Sequence, residues 1–234
     1  MENRLPRLTV KEIWNETLKF FNLEKGILFT FISLLKKPYF TVQTYLNVNR
    51  RKYSNPLQYI LFGVAIYVVI IKLSPGFNYF IEQANTINQQ KLQALGDKGA
   101  VYFESNAKAQ ELLMSYQNVL YLFILPVISI ITNWFGGKNY NYAENLAINA
   151  FTFGTAVWVS LLFGLVTFFL NYTYTILGLL ALLSWFVTCY MYKNIFQFKW
   201  VKAILVSILV VSIQLISSVI VQLGFTFYFM SKSL

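Results

Sequence analysis

The 234-residue chain contains no histidine, one cysteine (Cys189) and one aspartate (Asp97). Histidine is the commonest metal ligand and the side chain that ordinarily titrates near neutrality. A single thiol builds neither a disulfide framework nor a zinc knuckle. These absences argue against a metalloenzyme and a triad hydrolase, and no metal or other cofactor is expected. Charge is also scarce. Only 12% of residues are charged, where soluble domains carry about 25%.

Apolar residues take the place of charge, at 57% of the chain with 18% aromatic. They fall into five runs, at about 56–73, 114–135, 146–170, 174–192 and 201–230. Each is near or above the roughly 18–20 residues that cross a hydrocarbon core about 30 Å thick. The last four carry no charge in their middles, where one Lys, Arg or Asp costs about 2.5–3.5 kcal/mol on insertion scales. The pattern predicts an all-α polytopic membrane bundle of about five transmembrane helices, with Pro126 kinking the second. Met1–Phe20 has scattered charges and no clean apolar core, so the first span is expected to direct its own insertion.

The bases are unevenly placed. Before the first span there are ten bases against four acids, a net of +6 out of the chain's +10. The segment 74–113, read as an outside loop of two helices, nets −1. Arg50, Arg51 and Lys52 sit directly before the first span. The positive-inside rule then puts the amino terminus in the cytoplasm and the carboxyl terminus outside.

Residues 1–55 read as amphipathic and interfacial helices on the cytoplasmic side, and 56–234 as the transmembrane bundle. Thr9 and Glu12 form a capping box, with Leu8 and Ile13 as its hydrophobic staple. Val10, Ile13, Trp14, Leu18 and Phe21 follow at helical spacing. Gly26–Leu35 is apolar but about half a span long, which suits an interfacial or re-entrant helix. Lys36 and Lys37 end it, and Pro38 can open the next. Trp14, Lys36, Lys37, Arg50, Arg51 and Lys52 are the candidates for gripping anionic headgroups or a membrane partner. The simpler alternative is that these bases only set orientation.

Leu34, Leu35, Pro38, Tyr45, Leu46, Arg50, Tyr53 and Pro56 together resemble the leader of an uncharacterised bacterial family of multi-pass membrane proteins. Asn141–Phe153 resembles a later element of the same family. There Glu144 is kept, and Asn145 and Asn149 stand where histidines are common. Many members begin with a four-cysteine zinc ribbon, which this chain lacks. The resemblance implies a fold and a bacterial cytoplasmic (inner) membrane location, and no activity.

Inside the spans, Asn145, Asn149 and Thr152 form one polar stripe beside the small residues Ala143, Ala147, Ala150 and Gly154. Ser129 and Asn133 share a face of the second span, as do Ser207, Gln214, Ser218 and Gln222 of the fifth. With Glu144 at the interface, these groups either line a polar path or bond helix to helix. The absence of intramembrane Asp, Lys and Arg favours the second reading. The leading functional expectation is therefore a non-enzymatic scaffold or accessory protein that binds lipid headgroups or a membrane partner, or forms a homo-oligomer. The alternative is a small-solute or lipid conduit through Glu144, Asn145, Asn149, Gln214 and Gln222. Nucleic acid is not an expected partner.

Overall fold

The computed structural model describes residues 26–93, 96–136, 139–166, 168, 170 and 174–233. The predicted leader helix with Trp14 lies outside them, as does Lys138. Among the described residues every regular element is helical.

Helix α1 (Ile27–Lys36) and helix α2 (Pro38–Gln43) come first, α2 opening on Pro38. A π-helical turn (Thr44–Val48) and a 3₁₀ turn (Arg50–Lys52) lead to α3 (Pro56–Leu73). Pro56 costs nothing at a helix start, where its missing N–H has no partner to lose. Asn55 caps the helix, its side-chain oxygen accepting from Leu57 N at 3.0 Å. Helices α4 (Pro75–Gln93), α5 (Gly96–Gly136), α6 (Tyr142–Val166), α7 (Tyr174–Ile195) and α8 (Trp200–Ser233) follow.

Among the described residues, five stretches are long and apolar enough to cross a membrane: Arg50–Leu73, Val119–Gly136, Tyr142–Val166, Thr175–Ile195 and Trp200–Lys232. Their outward faces are greasy, with Phe123, Leu182, Leu205, Ile216 and Ile220 all exposed. That is the profile of a bundle solvated by lipid. Helix α5 breaks at Tyr116 (φ −123°, ψ 15°), and Pro126 stays within helical geometry. The expected kink at Pro126 therefore lies ten residues earlier in the chain. There Lys72 Nζ, at the end of α3, donates to the Tyr116 hydroxyl.

Helix α6 is the axis of the bundle, with 72% of its span buried where the other spans reach 22–33%. It runs parallel to α3, since Tyr59 meets Thr155 and Gly63 meets Trp158. It runs antiparallel to α5, because Asn145 bonds Asn133 and Asn149 bonds Ser129. It is antiparallel to α7 as well, through Ser160–Ser184 and Tyr192–Asn149. The start of α3 and the α5–α6 and α7–α8 connections therefore share one end. The α3–α4 and α6–α7 connections share the other.

The α3–α6 contact is close because two glycines face it. The ring of Tyr59 covers Gly154, where a Cβ would stand 2.6 Å from the ring. The Trp158 indole covers Gly63, where a Cβ would stand 2.9 Å from Nε1, and that N–H donates to Tyr59 O at 3.4 Å. Small residues that admit a neighbouring helix are the usual way to gain packing energy in lipid, where water supplies no drive.

Gly154→Ala is expected to lower stability in detergent by about 1–3 kcal/mol, because Tyr59 of α3 is fully buried over Gly154 and has no free direction to yield. Gly178→Ala, where a Cβ meets nothing within 4 Å, is expected to be neutral or to gain up to about 1 kcal/mol from helix propensity. Thermal unfolding followed by circular dichroism separates the two. Equal effects would count against the glycine contact as a constraint.

Candidate functional site

The end of the bundle that carries Arg50–Lys52 is built from the segment between α1 and α3. Helix α1 turns Ile27, Thr30, Phe31 and Leu34 inward, and Leu28, Phe29 and Ile32 outward. Both faces are mostly apolar, so the helix packs on the bundle and still presents hydrocarbon. It is tied down by Tyr190 OH donating to Leu35 O at 2.8 Å and by Ser54 N donating to Thr30 Oγ1 at 2.9 Å. The Tyr45 ring meets Phe151 edge-on at 5.2 Å. Burial raises the Tyr45 phenol above its ordinary 10.0, against the opposing pull of Arg50.

Lys36, Lys37, Arg50, Arg51 and Lys52 are all exposed along this rim. None forms an ion pair with a described residue; the described ion pair, Lys108–Glu104, belongs to α5. Lys36 and Lys37 border a recess of about 310 Å³ that also takes in Tyr39, Tyr190 and Asn194. Lys52 Nζ stands 5.8 Å from the Phe40 ring and 5.7 Å from the Tyr53 ring. Lys202 lies over Phe198 at 4.3 Å and Lys193 over Trp200 at 5.1 Å at the same end. Bases over aromatic faces, with apolar Val48 and Phe40 exposed beside them, suit the boundary between headgroups and hydrocarbon.

A polar recess of about 310 Å³ lies next to this rim, between Tyr39, Gln43, Asn47, Tyr140, Glu144 and Gln197. Glu144 closes a capping box: Asn141 N donates to Glu144 Oε2 at 2.8 Å, and Glu144 N donates to Asn141 Oδ1 at 2.9 Å. Gln43 Nε2 donates to Tyr140 OH at 2.6 Å, and that hydroxyl donates to Ile195 O at 3.3 Å. Burial first, then the neighbouring Tyr39, raises the Tyr140 phenol; the Gln43 bond opposes this and Glu144 adds to it. The phenol stays protonated at neutral pH and serves as a joint between α2 and α7.

Asn145 and Asn149 are fully buried and turned to α5 and α7. Asn149 Nδ2 donates to Ser129 Oγ (3.1 Å) and Thr132 Oγ1 (2.8 Å), and Tyr192 OH donates to Asn149 Oδ1 (2.7 Å). Asn145 Nδ2 donates to Asn133 Oδ1 (3.0 Å) and to Asn141 O (2.9 Å), while its own Oδ1 has no partner among the described residues. Gln222 is spent in the same way, its Nε2 donating to Asn106 Oδ1 at 3.0 Å. Gln214 differs. It is 6% exposed and lines a third cavity of about 350 Å³ among α3 to α8. The candidate residues thus divide. Asn145, Asn149 and Gln222 join helices, Glu144 caps one, and Gln214 stands on a cavity wall.

Trp185, Ser160 and Ser184 also line that cavity, and residue patterning did not single them out. The signal available was faint: Ser184 and Thr188, four apart, make α7 polar on one side.

The architecture defines an all-α, multi-pass membrane bundle. A family model described as "Protein of unknown function (DUF3667)" matches residues 24–68. That stretch includes α1, α2, the basic turn and the first part of α3. No curated protein and no solved structure gives a match.

Tyr192→Phe is expected to cost about 0.6–1.7 kcal/mol, the range of single interhelical hydrogen bonds. Asn149→Leu is expected to cost more, because three buried hydroxyls lose a partner at once. A double-mutant cycle by thermal unfolding should return a favourable coupling between the two positions. Strict additivity would show that the Tyr192 bond carries nothing.

Proposed function

We propose that this protein is a non-enzymatic membrane scaffold or accessory protein whose basic end binds anionic lipid headgroups. The observation that carries this reading is the row of exposed bases Lys36, Lys37, Arg50, Arg51 and Lys52, with no carboxylate partner among the described residues. An unpaired base at an interface draws on the negative potential of anionic lipid, and clustered bases add their effects. The same row supports a cytoplasmic amino terminus and, after five spans, a carboxyl terminus on the opposite face. The far end is close to neutral by comparison: Lys72, Lys91, Lys98, Lys108 and Lys232 stand against Glu82, Asp97, Glu104 and Glu111, a net of +1. In a bacterium this orientation belongs to the cytoplasmic membrane.

The conduit reading draws less support. Asn145, Asn149 and Gln222 have used their amides between helices, and Asn149 lines none of the three cavities.

The full chain in nonionic detergent should be titrated with phosphatidylglycerol and with phosphatidylcholine, and bound lipid counted by native mass spectrometry. Phosphatidylglycerol should bind preferentially, and Arg50→Glu/Arg51→Glu/Lys52→Glu should weaken it by more than about tenfold. Equal retention of the two lipids, or undiminished binding by a folded triple variant, would defeat the proposal. A tag on the amino terminus should resist an impermeant reagent in intact cells. Labelling there would reverse the orientation.

A further inference from the structure

The cavity of about 350 Å³ lies inside the bundle, remote in chemistry from the basic rim. Its wall is largely apolar, with Tyr67, Ile71, Leu177, Leu180 and Leu215 contributing. Among the described residues, no Lys, Arg, Asp or Glu lines it. Yet two polar side chains on the wall lack partners. Gln214 is 6% exposed as a residue, and its side-chain amide makes no hydrogen bond to a described residue. Trp185 Nε1 is buried without an acceptor among the described residues. By contrast the Asn149 amide is fully paired, while Ser54 Oγ and Asn145 Oδ1 are two further buried atoms without a partner among the described residues. Ligand sites of this volume are mostly apolar, with a few polar groups that fix orientation.

We propose that this cavity binds one acyl chain of a neutral-tailed membrane glycerolipid, with its ester carbonyl taken by the Gln214 amide and the Trp185 N–H. The apolar wall matches the methylene chain. A donor-only indole N–H and an amide call for an acceptor. An ionised fatty acid is disfavoured, since a carboxylate here would give up its hydration and meet no countercharge. This site is independent of the headgroup reading, because none of the five rim bases touches it.

The test uses the full chain in detergent with phosphatidylcholine that carries a photoreactive diazirine midway along one acyl chain. A second arm uses the free fatty acid with the same diazirine. After photolysis, adducts from the lipid should map to Leu177, Leu180 and Leu215, and unlabelled phosphatidylcholine should compete them away. Gln214→Leu and Trp185→Phe should each lower that adduct at least fivefold, with circular dichroism unchanged. If either variant fails to fold, Ala156→Phe fills the cavity from the α6 wall, which carries neither Gln214 nor Trp185, and must lower the adduct alone. Arg50→Glu/Arg51→Glu/Lys52→Glu should leave labelling intact, which separates failure here from failure of the headgroup reading. The proposal is overturned if adducts fall only on outward residues such as Leu182 and Leu205. Stronger labelling by the free acid, or an experimental map showing only water in the cavity, overturns it equally.

Discussion

Two glycines let the backbones of α3 and α6 meet, and the bundle is arranged around that meeting. Within lipid, burying apolar surface gains little, because the solvent is itself apolar. Close contact and hydrogen bonding must then do the joining. Gly154 gives its open face to Tyr59, and Gly63 gives its face to Trp158. The two aromatics return polar bonds across the seam, to Thr155 and to the Tyr59 carbonyl. With α3 held so near, α6 becomes the enclosed helix, and α5 and α7 pack on its remaining sides.

That enclosure explains where polarity is tolerated. The amides of Asn145 and Asn149 lie on the buried helix, where an unpaired group is expensive and lipid provides no partner. Both Nδ2 groups and Asn149 Oδ1 are met by hydroxyls, a carbonyl and another amide, while Asn145 Oδ1 has no partner among the described residues. The contrast with Gln214 and Trp185 is therefore informative: the same fold that pairs the amides of Asn149 leaves two groups unpaired around one cavity. The glycine seam sets the level at which this happens, since Phe153, Ala156 and Val157 of α6 form part of the same wall.

The basic end obeys a different constraint. Its bases sit on short helical pieces, none long enough to cross a bilayer, which are pinned to the bundle by Tyr190, Thr30 and Tyr45. Anchoring through tyrosine hydroxyls and rings leaves the lysines and arginines without a carboxylate partner among the described residues. The segment is attached to the bundle while its bases stay exposed.

The presence of five membrane helices was legible in the residues, because crossing hydrocarbon demands a local property: enough consecutive apolar residues with every backbone group bonded within the helix. The half-length α1, the Pro38 start of α2 and the cluster Arg50–Lys52 were legible for the same reason. The Glu144 cap was also written locally, in Asn141 and Glu144 three residues apart, although a lone carboxylate at a span end drew attention first. Pairing was not legible. Asn145, Asn149, Gln214 and Gln222 look alike along the chain, and only the tertiary structure decided that three join helices and one faces a cavity. A hydrogen-bond partner is chosen by whichever helix packs alongside, and that choice rests on shape at the glycine seam rather than on anything an amide's own neighbours encode.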